Sequence, residues 1–355
     1  MVHSPILLLD KIRCRNNIKR IAYKAEKLGL SFRPHFKTHQ SIEIGRWFRE
    51  FGINGITVSS IGMAKYFVQD DWDDITIAFP FYHGMIDGLK DLQEKAQLRL
   101  FLNREGDVSL LNNELKKSFK IYIEIDAGYG RSGISITEKE KIKNLISVIK
   151  NGKNSEFHGF YIHDGGTYKA HGKSEIKEKV KQSLSALREL KKLYPEAKTS
   201  LGDTPSASVL EDFDGIDEIT PGNLVFYDWM QVQIGSCNPN DVAVSVKVPF
   251  SQRISKNKVI VHGGAVHFSK DYIEQNGYKN YGQAFKIEEN GIVPFDGVML
   301  SGLSQEHGTL SGFDPKIVDE NNFISILPIH SCLTVNLYNC YHTTEGEIIQ
   351  KRTLS

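Results

Sequence analysis

Eight short β-branched runs, separated by stretches of helical periodicity, fill the first two-thirds of this chain and leave few folds open to it. The runs lie at residues 31–37, 55–60, 74–81, 98–103, 120–126, 157–163, 198–202 and 217–226. Between them, residues 17–29 set Ile18, Ile21, Ala22, Ala25 and Leu28 on one helical face, with Gly29 to close it. Helical spacing returns at Ile142, Leu145, Ile146 and Ile149, and again at Ile176, Val180, Leu184, Leu187 and Leu190. Strand–helix alternation of this length predicts a parallel (β/α)8 barrel of the TIM type.

The texture changes after Asp228. Residues 242–250, 258–266, 298–301 and 323–327 are short, β-branched and bounded by turn residues, with no convincing amphipathic helix among them. That pattern predicts a second, mostly antiparallel β domain. The expected boundaries are a barrel over residues 15–235 and a β domain over 236–355, joined by an N-terminal strand within 1–14.

Composition narrows the function class. The formal net charge is +1, from 44 Lys+Arg against 43 Asp+Glu, which argues against a nucleic-acid partner. Hydrophobic residues at 40% and charged residues at 25% are those of an ordered globular chain. No apolar run reaches the roughly 18 residues of a membrane span. The first ten residues carry only the patch Ile6-Leu7-Leu8-Leu9 and no small-residue cleavage site, so no signal peptide is expected. Four cysteines without C-x-x-C spacing make no disulfide framework. A reduced, cytoplasmic enzyme is the expectation.

Chemistry-bearing residues fall just after the strands. Lys37 follows the first run in Arg33-Pro-His35-Phe-Lys37-Thr-His39, and Arg131 the fifth in Asp126-Ala-Gly-Tyr-Gly-Arg131. His163 and Tyr168 follow the sixth, Gly202-Asp-Thr204-Pro-Ser206 the seventh, and Pro221-Gly222-Asn223 lies in the eighth. In a barrel all of these belong to the C-terminal rim, where catalytic residues of that architecture collect. Taken singly, the glycine loops are also plain turns and Lys37 a solvated charge. In the β domain, His330-Ser-Cys332 in an extended segment would turn both side chains to one face. Imidazole and thiolate suit zinc, and two ligands leave positions open; a buried cysteine beside a core histidine is the alternative. Glu306-His307-Gly308 is polar enough to back a metal. Cys14, Cys237 and Cys340 show no partner spacing.

Together these segments resemble the fold-type III pyridoxal-phosphate (PLP) enzymes, the alanine-racemase-like barrels, and among them the D-serine dehydratase and D-threonine aldolase family. The resemblance runs in order from about residue 31 to residue 332. It is carried by Pro-His-Phe-Lys37-Thr-His, His163-Asp-Gly-Gly-Thr-Tyr168, Thr204-Pro-Ser, Pro221-Gly222-Asn223-Leu-Val-Phe-Tyr-Asp, Ser304-Gln-Glu-His307-Gly and Pro328-Ile-His330-Ser-Cys332. It implies that Lys37 holds PLP as a Schiff base and takes the α-proton of a small D-amino acid. Arg131 would lie near the cofactor ring, and His163 and Tyr168 beside the cofactor. Thr204, Gly222 and Asn223 would hold its phosphate. His330 and Cys332 would bind zinc for the substrate's β-hydroxyl. The reaction implied is β-elimination to a 2-keto acid and ammonia, by a homodimer.

Retro-aldol cleavage is the near alternative, but in aldolases of the family the second metal ligand resembles an aspartate, and the resemblance with Cys332 there leans toward the dehydratase. A racemase and a non-catalytic PLP-homeostasis protein are further ones; the latter are single barrels without a β domain. Two departures stand out. Racemases of this fold carry an arginine two residues before the phosphate-loop glycine, where this chain has Thr220. The segment Val261-His262-Gly-Gly-Ala-Val-His267-Phe268 also differs from the Asp/Cys-Ala/Gly-rich stretch expected of D-serine dehydratases.

Overall fold

The computed structural model describes residues 4–275 and 277–353. The first three residues of the expected N-terminal strand therefore lie outside the described ones. The chain divides into two compact units, residues 20–222 and residues 1–19 with 223–355.

In the first unit eight strands pair side by side, each parallel to the next. They are β1 (Ser31–Phe32), β2 (Gly55–Val58), β3 (Asp74–Pro80), β4 (Gln97–Phe101), β5 (Phe119–Asp126), β6 (Ser155–His163), β7 (Lys198–Gly202) and β8 (Glu218–Ile219). Pairing follows chain order, and β8 returns to β1, Glu218 opposite Ser31. The seam between β1 and β2 is closed by one bridge, His35 to Thr57. Phe36 N–H donates to the Thr57 carbonyl (2.8 Å), and Thr57 N–H to that of Pro34 (2.9 Å). The turn that carries Lys37 is thus stitched across the joint of the barrel. Inside, Arg33 bridges Glu218 (2.9 Å) and Asp74 (2.6 Å), Arg99 reaches Asp74 (2.9 Å), and Tyr122 Oη donates to Glu218 (2.9 Å). A buried charge set of this kind persists because every charge in it is paired.

The outer helices follow the expected periodicity, with corrections at their ends. Ile142, Leu145, Ile146 and Ile149 are all buried on Lys139–Lys150. The helix expected at 17–29 runs over Lys11–Lys27, and Leu28 lies half-exposed beyond it. Its start is set by Asp10, whose side chain accepts from Arg13 N–H (2.9 Å), a cap that the basic residues after it conceal. The eighth run pairs only over Glu218–Ile219; past Pro221 and Gly222 the chain turns into a short 3-10 helix, Asn223–Val225. Proline cannot donate to a ladder, and glycine weakens one.

The second unit is built on six antiparallel strands. Val244–Ser255 pairs with Lys258–His262, then in turn come His307–Ser311, Gly291–Leu303, Gly282–Glu288 and Phe323–Pro328, which returns to Val244–Ser255 and closes a small barrel. Val244, Val246 and Val248 point inward, alternating with half-exposed Ser245 and Lys247, as a two-residue period requires. Ile6–Leu9 adds to the early part of Val244–Ser255, and Cys340–Thr343 pairs parallel to it on the far side. The strand expected through residue 266 stops at His262, where two glycines lead into the short helix Ala265–Phe268.

Candidate active site

At the C-terminal ends of the first unit's strands, the expected residues gather. Lys37 is exposed while His35, Phe36, Thr38 and His39 around it are buried, and its backbone N–H meets His35 Nδ1 at 3.3 Å. Burial, then the positive charges of Lys37 and Arg131 with the His163 ring, push the His35 imidazole well below its usual value. His163 is brought down to about 3, by burial first and then by Arg131 and Lys37. Both rings are therefore neutral.

Arg131 is placed by its own turn. Asp126 accepts from Gly128 N–H (2.8 Å) and Gly130 N–H (3.1 Å), which folds the loop back. Arg131 then lies 3.9 Å from buried Glu124 and 5.9 Å from the Tyr129 ring centre. His163 and Tyr168 have ring centres 6.3 Å apart, and the Tyr168 hydroxyl accepts from Thr204 N–H at 3.2 Å.

Whether these residues fit PLP is tested by what they leave unsatisfied. Thr204 Oγ1 and Ser206 Oγ are buried with no hydrogen-bond partner among the described residues. Such hydroxyls cost free energy unless an acceptor reaches them, and a phosphate is one. A side chain at Gly222 would meet the His35 carbonyl at 2.8 Å and Thr38 Oγ1 at 3.0 Å, so this loop approaches the turn after β1 as only glycine allows. The residues fit a phosphate beside an amine. Asn223 belongs to the other unit and has spent its side-chain amide there, on Asp228 (2.6 Å), Ser331 Oγ (3.0 Å) and Cys332 Sγ (3.7 Å).

The second unit brings His330 and Cys332 together by a route the sequence did not suggest. The segment is not a strand: Ser331–Val335 is a helical turn, with His330 in extended conformation as the residue just ahead of it. Asp228 fixes that turn by accepting from Ser331 N–H (2.9 Å) and Ser331 Oγ (3.2 Å). His330 Nδ1 lies 2.8 Å from Asp271 Oδ2, which leaves the other ring nitrogen for Cys332. Burial opposes charge on His330, yet Asp271, Cys332 and Asp228 outweigh it and raise the group to about 11. A carboxylate behind a histidine that faces a thiol is a donor set that fits zinc. Asp271 and Asp228 were missed as supports; only Asp228, ahead of a short helix, has a cap signature that could have found it. The expected backing residue Glu306 pairs with His262 and His267 instead.

Comparison with known proteins identifies the family. The family model described as "Alanine racemase, N-terminal domain" matches residues 9–228, and one for a serine dehydratase domain matches 243–344. D-serine dehydratase of Dictyostelium discoideum is 30% identical, over 96% of this chain and 93% of its own. D-threo-3-hydroxyaspartate dehydratase of Delftia sp. HT23 superposes with a TM-score of 0.88 at 24% identity, covering 99% of this chain and 98% of its own. That dehydratase is also known as a cysteine-to-alanine mutant in a metal-free form. 3-Hydroxy-D-aspartate aldolase of Paracoccus denitrificans is 23% identical over 96% of this chain and 88% of its own. The chain belongs to the alanine-racemase-like, fold-type III family of PLP-dependent enzymes, in its dehydratase and aldolase branch.

Proposed function

We propose that the protein is a PLP- and zinc-dependent lyase that removes water from a D-configured β-hydroxy amino acid, giving a 2-keto acid and ammonia. The observation that carries this reading is the His330–Cys332 pair with Asp271 behind it, in a chain that also presents Lys37 among neutral imidazoles. When bound, PLP supplies an electron sink at the α-carbon and zinc a Lewis acid for the departing β-oxygen. Lys37 holds the cofactor and, once released, accepts the α-proton. The neutrality of His35 and His163 keeps further positive charge away from that amine. Thr204 and Gly222, with the backbone of Asn223, hold the phosphate, and Arg131, His163 and Tyr168 flank the ring. His330 and Cys332 hold the metal. The reading further includes a homodimer working in the cytoplasm; among the described residues no helix is long and apolar enough to cross a membrane.

Retro-aldol cleavage is the second reading, favoured by the aldolases among the relatives. D-threonine separates the two. Elimination yields 2-oxobutanoate and ammonia, with loss of the α-deuterium to solvent; cleavage yields glycine and acetaldehyde. Removing metal with a chelator is expected to stop turnover while PLP stays bound. A metal-free sample with full activity would overturn the zinc assignment.

A further inference from the structure

Three donor atoms converge at one end of the antiparallel barrel, among residues with no role above. His262 ends the strand Lys258–His262, His267 lies on the helix Ala265–Phe268, and Glu306 sits in the hairpin ahead of His307–Ser311. His262 Nε2 is 3.3 Å and His267 Nε2 3.9 Å from Glu306 Oε2, and the three donors lie within 4.8 Å of one another. Zinc bonds of about 2.0–2.1 Å at tetrahedral angles set neighbouring donors about 3.4 Å apart. The Glu306 distances of 3.3 and 3.9 Å lie on either side of that spacing.

The backbone beneath holds the three in place. Gly263 N–H donates to the Glu306 carbonyl (2.9 Å), Ala265 N–H to that of Ser304 (2.8 Å) and Val266 N–H to that of Gln305 (3.2 Å). Glycine is required for so close an approach: a Cβ at Gly264 would lie 2.3 Å from the Gln305 carbonyl, and one at Gly308 2.5 Å from that of Gly263. His267 Nδ1 is buried without a partner among the described residues, so the nitrogen this ring can use is Nε2, aimed at Glu306. One carboxylate oxygen needs only one of these rings for a hydrogen bond; a cation between them would engage all three side chains.

We propose that His262, His267 and Glu306 form a second divalent transition-metal site, of zinc type, with a fourth position open to water. Two imidazoles and one carboxylate with an open position is a donor set that zinc accepts. The site is exposed enough for its ion to exchange. It does not depend on the function proposed above.

Cobalt(II) tests it, because a thiolate ligand adds a charge-transfer band that nitrogen and oxygen ligands do not. The holoenzyme is expected to bind two Co²⁺ per chain, one with that band and one without. Cys332→Ala should lose the band and keep one equivalent, which adding Glu306→Gln should then remove. Glu306→Gln or His267→Ala alone should lose the band-free equivalent and leave the band unchanged, with circular dichroism reporting an intact fold. Folded Glu306→Gln protein that binds as much cobalt as the unsubstituted chain would overturn the proposal. A single band-free equivalent, abolished by Glu306→Gln, would uphold this site while defeating the His330–Cys332 assignment.

Discussion

Lys37 is exposed on a turn whose neighbouring residues are buried, so the chain that carries its amine is anchored. Replacing Lys37 with alanine is expected to abolish turnover and the covalent attachment of PLP. Borohydride reduction followed by mass spectrometry of the denatured chain checks this, and a full-stoichiometry adduct on the variant would refute it. Asp271 makes a different contribution. By holding His330 Nδ1 it fixes which ring nitrogen faces Cys332, and Asp271→Asn is expected to weaken metal binding about 10–100-fold with PLP content unchanged, measured by competition with a chelator. Lys37, Arg131, His163 and Thr204 were legible in the sequence because a parallel barrel brings every strand end to one rim, however far apart in sequence. Asp271 was not legible: it stands 59 residues from the histidine it orients, in no motif.

At the scale of elements, two groups at the ends of barrel strands, His163 closing β6 and Asp203 just after β7, bias stability in opposite directions with pH. His163 has a folded-state value of about 3 against 6.5 ordinarily, so between those values the unfolded chain binds more protons and stability rises with pH. Asp203 is pushed up to about 7 from 3.8, chiefly by burial, so the folded chain binds more protons in that window and stability falls as pH rises. His163→Gln should therefore make the pH slope of stability less positive, and Asp203→Asn more positive. Urea midpoints at about pH 4.5 and about pH 6.5 read both slopes. Two variants shifting the slope the same way would count against these burials. The elements themselves were readable where periodicity ran long, as at Ile142 to Ile149. They were misjudged where one residue decides a boundary. Pro221 ends β8, and the helical turn at Ser331 closes His330 onto Cys332 where alternation had suggested a strand. The helix expected over Ile176 to Leu190 breaks in two at Val180, though its apolar face stays buried.

For the whole molecule, the eight-stranded order and the antiparallel second unit followed from where strand–helix alternation gives way to short β-branched runs. The closure of that second unit into a barrel did not, because it depends on register shifts within Val244–Ser255 that no local pattern announces. The homodimer proposed above is expected to bury about 2,000 Å² or more, as obligate pairs do. Sedimentation at micromolar concentration should then give twice the chain mass, and a monomer would refute it.

The strand Ile6–Leu9 is flanked by Val244–Lys247 on one side and by His342 and Thr343 on the other. On the ribosome it emerges ahead of both its neighbours and must wait for each. The barrel's own residues, 20–222, are complete while this Ile-Leu-Leu-Leu edge still waits. An unpaired apolar edge left open for most of synthesis is a site for mispairing between nascent chains. The yield of native protein should therefore depend on translation rate and on chaperones that cover the Ile6–Leu9 segment.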